Sequence, residues 1–248
     1  MEFWDVNTII GPWQKERQHF STAGELCEHL DEFGIRKALV SHTLAAKHSD
    51  MDGNRILGRE IAGREGLIPC WVLDTASVWR YGGVERLRAE MAGAGAKAVR
   101  VFPASQRYNF EKWNVAELFD FLEVFAIPVL VDHNELKQDL GPLDAMCREY
   151  PRLPIVMCGV PGGLIAQEIA LLRRNRNLYL DSSGIWGYCG LEEIVARCGP
   201  EQILFGSRMP FFDAGCAISR VTLSDISDAD QALVGSGNLA RLLAGVEL

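Results

Sequence analysis

The chain has 248 residues, a net charge of −8, and 48% hydrophobic against 23% charged residues. That is globular composition with enough apolar mass for a sizeable core, and it excludes a disordered chain. The acidic balance, with a pI near 5.2, argues against a nucleic acid or an anionic membrane as partner, since both favour positive surfaces.

Short segments rich in branched apolar residues alternate with longer ones of helical spacing. The first predicted strand is 2–6. A helix over 23–33 follows, capped by Ser21 or Thr22, with Leu26, Leu30 and Phe33 on one face and Gly34 at its end. Next come a strand at 37–41, a helix at 54–64, a strand at 67–73 and a helix at 84–92. A strand at 97–102 leads to a helix at 115–125 with Leu118, Phe119, Leu122 and Phe125 on one stripe. Strands at 128–132, 154–157, 178–181 and 203–205 alternate with helices at 143–149, 164–173 and 191–197. The tail holds helices at 228–234 and 238–243. Near-continuous apolar strands suit a parallel sheet buried on both faces. Eight βα units of about 31 residues each predict a single (β/α)₈ TIM barrel of the α/β class over 1–248. The alternative is an open doubly wound sheet, but no Gly-rich phosphate loop follows the first strand. Gly82-Gly83 and Gly162-Gly163 read as turns.

No apolar run approaches the ~20 residues of a membrane span. Met1-Glu2-Phe3-Trp4-Asp5 lacks the basic-then-apolar order of a signal peptide. Seven scattered cysteines without a Cys-x-x-Cys spacing point to reduced thiols in a cytoplasmic protein.

A barrel places its chemistry at the C-terminal ends of its strands. Those ends read Asp5-Val6-Asn7-Thr8-Ile9-Ile10-Gly11, Arg100-Val101-Phe102-Pro103, Val131-Asp132-His133-Asn134, Val156-Met157-Cys158-Gly159, Leu180-Asp181-Ser182-Ser183-Gly184 and Gly206-Ser207-Arg208-Met209-Pro210. The tail reads Gly237-Asn238-Leu239-Ala240-Arg241-Leu242-Leu243. Over the whole chain, and in order, this resembles the amidohydrolase-related family of metal-dependent barrels. That family comprises lactonases, hydrolases and non-oxidative decarboxylases of small carboxylated or aromatic compounds. Its marks are D-x-H-x-H-x-G after strand 1, a His after strands 5 and 6, G-S-D-x-P after strand 8 and a terminal G-N-A-x-R-L-L helix. The Gly206-Ser207-x-x-Pro210 turn and the helix from Asn238 are the most specific matches.

The family's chemical residues are not retained. The strand-1 histidines fall on Asn7 and Ile9. The strand-5 His falls on Asp132, or on His133 if the register slips by one. The strand-6 His falls on Cys158 or Met157, and the strand-8 Asp on Arg208. A catalytic divalent ion needs about three good ligands and an open position. Ile9 offers none, Asn7 a neutral oxygen, and Arg208 a fixed cation. One charge against two at ~4 Å and a dielectric of ~20 costs roughly 8 kcal/mol. The resemblance makes the strand-8 Asp the group that takes a proton from the metal-bound water or substrate, and a guanidinium cannot do this.

The sequence therefore predicts an amidohydrolase-like barrel with a degenerate metal site and no cofactor, binding a small anionic molecule, aromatic or not, at its mouth. Hydrolase or decarboxylase chemistry is implied by resemblance alone. Arg208 either receives an anion, with Arg100 and Asn7, or pairs bidentately with Asp132 and plugs the site. Any turnover would rely on Arg208, His133 and Asp132. His42 is a second candidate acid or base, against a plain hydrogen-bonded role. Cys158 is a candidate ligand contact, or a nucleophile if His133 serves it, against a buried thiol. Trp186 is the first aromatic to consider as a pocket wall, ahead of Trp71, Trp79, Trp113 and Tyr188. The loop Met209-Pro210-Phe211-Phe212 closes a pocket or meets a second copy of the chain. Two rival readings stay open: a non-catalytic binding or oligomer-forming relative, and a zinc enzyme using Asp132, His133 and Cys158.

Overall fold

The computed structural model describes residues 1–13, 18–159 and 164–248. All eight predicted strands form: β1 Phe3–Ile10, β2 Ile35–His42, β3 Leu67–Val72, β4 Ala98–Val101, β5 Val129–Asp132, β6 Ile155–Cys158, β7 Leu178–Asp181 and β8 Ile203–Leu204. They pair in parallel in chain order from β1 to β8. The Val6 N–H donates to Phe205 O at 2.9 Å and the Ile9 N–H to Met209 O at 3.1 Å, which brings the eighth unit back against the first. The result is a nearly closed TIM barrel.

Both faces of these strands are buried, for two different reasons. Val6, Leu39, Cys70, Ala98, Leu130, Val156, Cys158 and Leu204 fill the barrel interior. Their neighbours Val40, Val99, Val129, Val131, Ile155, Met157, Leu178 and Leu180 face outward against helix residues such as Leu26, Leu87, Leu118 and Leu172. Successive strand side chains point to opposite faces, so a strand between two apolar layers is apolar throughout.

The helices follow the predicted order with shifted ends. Thr22 caps Ala23–Phe33 in a reciprocal capping box with Glu25, and Gly34 ends it at φ +68°. The helix expected at 54–64 lies at Asp50–Glu60, because the Ser49 hydroxyl caps it by accepting from the Asp52 N–H. Three short helices were not legible: Thr43–Lys47, Ser77–Arg80 and Ala214–Thr222. The terminal helix Asn238–Ala244 covers the N-terminal end of the barrel. Its Leu239, Leu242 and Leu243 join the interior cluster beside Trp4, Ile68 and Tyr179. Buried Asn238 ties it down through bonds from Nδ2 to Pro200 O (2.7 Å) and Ile203 O (2.8 Å).

Gly82 and Gly83 sit in a turn at φ +84° and +107°, while Gly162-Gly163 lies outside the described residues. All seven cysteines are free thiols. Among the described residues no helix is long and apolar enough to cross a membrane.

Candidate functional site at the barrel mouth

Several strands end on the same device. A polar side chain accepts a hydrogen bond from the backbone N–H two residues on, turning the chain out of the sheet. His42 does this after β2, Asp74 after β3, Asp132 after β5, Asp181 after β7 and Ser207 after β8. Asp5 does the same within β1, accepting from the Asn7 N–H at 2.9 Å. The second oxygen of each carboxylate is then left for other work.

At the C-terminal mouth these ends surround a cavity of about 300 Å³. Its polar wall includes Asn7, Lys47, Arg100, Asp132, Glu135 and Arg208, and its apolar wall includes Ile9, Trp13, Phe102 and Phe211. Asp132 Oδ2 stands between two guanidiniums, 3.9 Å from Arg100 Nη2 and 3.7 Å from Arg208 Nη2. The bidentate Arg208–Asp132 fork expected from sequence is thus a single longer contact shared with a second arginine. Arg100 is only 6% exposed, and its Nε has no hydrogen-bond partner among the described residues. Glu135 is already occupied, accepting from the Ser105 N–H and hydroxyl at 2.7 and 2.6 Å. Arg208 adopts φ +61°, an uncommon conformation for a residue with a Cβ and one that clusters at functional positions.

Beneath the mouth, Asn7 donates from Nδ2 to Asp181 Oδ2 at 2.5 Å. Asp181 also accepts from the Gly159 N–H at 3.3 Å. Asp5 is wholly buried; its Oδ1 accepts from Asn7 and Ser207 N–H groups, while Oδ2 has no partner among the described residues. Burial pushes the Asp5 carboxyl up to about 6, against the opposing pull of its bonds to Ser207 and Asn7. Asp181 is the residue here to which the sequence assigns no role, whereas Asp5 reads as a retained part of the strand-1 motif that frames the loop. The recurring Asp-x-Asn/Ser at 5–7, 132–134 and 181–183 was the available signal.

The structure brings together Asn7, Arg100, Asp132 and Arg208 from the sequence candidates, and places the other four elsewhere. His133 opens the turn His133–Leu136 and lines no part of the cavity; its neighbour Asp132 takes the inward position. Both His133 ring nitrogens are buried without partners among the described residues, and burial lowers its pKa despite the nearby Asp132. His42 is committed to its cap, with Nδ1 accepting from Leu44 at 3.1 Å and Nε2 3.6 Å from Glu60. Cys158 packs in the barrel interior, where burial raises its thiol well above the ordinary value. Trp186 donates to Ser183 O and meets Phe212 edge-on at 5.5 Å, outside the cavity wall. Of the other aromatics considered, Trp71 stacks on Tyr81 in the outer layer, and Trp79, Trp113 and Tyr188 are exposed. Among the described residues no group of three His, Cys, Asp or Glu side chains gathers as a metal set.

A sequence model described as amidohydrolase matches residues 71–244. No curated protein matches the sequence. Solved structures give a wider comparison. An uncharacterized TIM-barrel protein from Bordetella bronchiseptica superposes at a TM-score of 0.76 with 14% identity, covering 99% of each chain. A dihydroxybenzoic acid decarboxylase from Polaromonas sp. JS666, solved with manganese and the inhibitor 2-nitroresorcinol, gives 0.76 at 15% identity over 98% of this chain and 97% of that one. A 5-carboxyvanillate decarboxylase from Sphingomonas paucimobilis gives 0.74 at 13% identity over 99% of each. At these identities the likeness establishes the fold.

Proposed function

Because the chain belongs to the amidohydrolase family, we propose that it keeps the family's mouth as a receptor for a small anion with an apolar or aromatic body, and holds no catalytic metal there. One observation carries this reading: two guanidiniums, Arg100 and Arg208, stand in the wall of one cavity and share the single Asp132 carboxylate at 3.9 and 3.7 Å. The wall carries three cations, Lys47, Arg100 and Arg208, against two carboxylates. A carboxylate ~4 Å from one guanidinium gains about 4 kcal/mol at a dielectric of ~20, and desolvation of both ions takes back part of it. Trp13, Phe102 and Phe211 supply an apolar flank for the ligand's body.

The donors at the inherited metal position do not fit a divalent ion. The Asn7 amide is turned to Asp181, Ile9 has no donor, Asp132 is shared by two arginines, and the Cys158 thiol resists ionisation. Chemistry at the mouth rests on Arg208 polarising the bound anion; with His133 outside the wall, no imidazole among the described residues lines it as acid or base. Seven free thiols support a reducing, cytoplasmic setting. The net charge of −8 supports neither a nucleic-acid nor a membrane partner.

Benzoate, with benzamide as its uncharged control, tests the receptor in a thermal-shift titration. Benzoate should raise Tm in wild type and fail to do so in Arg208→Gln, while benzamide should do nothing in either. Equal shifts from both compounds would refute the anion reading. A stoichiometric divalent metal in dialysed protein, whose removal by chelator lowers Tm, would refute the metal-free reading.

A further inference from the structure

Four large apolar side chains stand together outside the mouth. Tyr188 is 97% exposed, Leu223 83%, Trp186 57% and Phe212 37%. Trp186 meets Phe212 edge-on at 5.5 Å. Trp186 and Leu223 share the wall of a hollow of about 290 Å³. Tyr188 stands at the lip of this hollow, between Gly187 and Cys189, which both line it. The loop that carries these rings is seated firmly on the body of the protein. A Cβ on Gly187 would lie 2.5 Å from Ile165 Cδ1, so its backbone already rests on the helix Ile165–Arg174. The Trp186 indole N–H donates to Ser183 O at 2.5 Å, which leaves that ring only apolar surface to offer. At ~200 Å² for a large aromatic side chain, and somewhat less for leucine, the four present about 500 Å². An apolar patch of that size on a soluble protein marks an interaction surface.

The hollow also has a polar lining, formed by Glu192, Ser219 and Arg220. Arg220 is held in place through Nη1, which donates to Ser182 O at 2.8 Å and Ser183 O at 3.3 Å. Glu192 accepts from the Asp225 N–H through Oε1 at 3.1 Å. Such a hollow suits an aromatic ring with a hydroxyl tip. Trp186 and Leu223 meet the ring, the guanidinium attracts its face, and the carboxylate or Ser219 takes the hydroxyl.

We propose that this patch is the interface of a two-fold dimer of the chain, with the Tyr188 of each copy seated in the hollow of the other. Knob and hollow lie side by side on one surface, so a two-fold axis beside them engages both at once, and an isologous contact of that kind closes on itself. Two copies bury about 1,000 Å² through these four side chains alone, the size a specific interface has to reach, before any polar rim is added. Charge favours the same place. A chain of net charge −8 repels its own copies, but the four anchors are neutral and Arg220 balances Glu192 within the hollow. The dimer does not depend on the anion-receptor reading of the mouth.

Sedimentation equilibrium of the full chain over about 1–100 μM, a range that brackets micromolar affinity, tests this with wild type, Tyr188→Ser and Leu223→Ser. Both side chains are exposed, so neither change reaches the core. Wild type should rise from 27.5 kDa toward twice that mass as concentration increases. Tyr188→Ser should raise the dimer Kd at least thirtyfold, because an aromatic anchor is lost from both sides of the contact, and Leu223→Ser should raise it less. Mass-spectrometric alkylation of Cys189, an exposed thiol that lines the hollow, reads the location. It should slow as wild type dimerises and stay fast in Tyr188→Ser. A 27.5 kDa species at every concentration would overturn the dimer and leave the patch to a different partner. A dimer that survives Tyr188→Ser, or that leaves Cys189 as reactive as in dilute protein, would overturn this interface.

Discussion

Replacing Asp132 by Asn separates two roles of that carboxylate. The amide oxygen can still accept from the Asn134 N–H as Oδ1 does now, at 2.9 Å, so the turn after β5 is kept. The charge between Arg100 and Arg208 is removed. At 3.7 and 3.9 Å each ion pair is worth about 4 kcal/mol gross at a dielectric of ~20. Most of that is offset by desolvation, and breaking a buried pair costs roughly 3–5 kcal/mol net. Arg208 keeps 24% of its side chain in solvent, so the expected loss is lower, about 2–3 kcal/mol, or roughly 5–10 °C in Tm. The same change removes a negative charge about 5 Å from an incoming acid. It should tighten benzoate at least tenfold, since even half of the ~3 kcal/mol repulsion at that distance exceeds one decade. Saturating benzoate, at about 100 times its Kd, returns about 2.7 kcal/mol and should nearly close the stability gap to unliganded wild type. Melting curves with and without benzoate, plus calorimetric Kd values, measure both effects. An Asp132→Asn protein that melts with wild type would refute the shared ion pair. One that binds benzoate no better than wild type would refute the claim that net charge governs the mouth.

Three further outcomes follow from other parts of the molecule. Glu168 is 2% exposed with Oε2 unpartnered among the described residues, and burial pushes its carboxyl from 4.5 up to about 7. The folded state therefore favours its protonated form, and this group's contribution falls as pH rises from about 4.5 to 7 and stays low above that. Glu168→Gln should match wild type below pH 4.5 and exceed it by up to roughly 3 kcal/mol at pH 8 in urea unfolding; a pH-independent difference would show that the carboxyl is not the cause. Asn238→Ala strips the donor from two carbonyls at the far end of the barrel. It should cost about 2–4 kcal/mol with benzoate affinity unchanged, and a change in affinity would contradict that placement. Gly159→Ala puts a Cβ at φ +65°, 2.9 Å from Asp132 Oδ2 and 3.3 Å from Arg208 Cζ. It should lose about 2 kcal/mol and weaken benzoate together, whereas unaltered binding would mean the ion pair yields freely.

The strand and helix order was readable because it is written locally. Apolar runs such as Val129–Asp132 and helices with marked ends such as Thr22 to Gly34 carry their own signals. The short helix Thr43–Lys47 carried none: its cap is the His42 imidazole, which sequence reading weighed as an acid or base. Lys47 entered the site unseen, because the five-residue helix that it ends is too short to show a period.

Sequence alone determined the eightfold alternation, and it placed an arginine at the position where resembling relatives carry an aspartate. It did so because residue identity and the two- and 3.6-residue periods are local properties. Only the tertiary structure decided that Asp132 rather than His133 faces the mouth, that Arg100 shares its carboxylate, and that Asn7 reaches Asp181 across the interior. These choices depend on strand twist, register and the return of the eighth unit to the first. They join residues far apart in the chain and are settled only when the whole core packs at once.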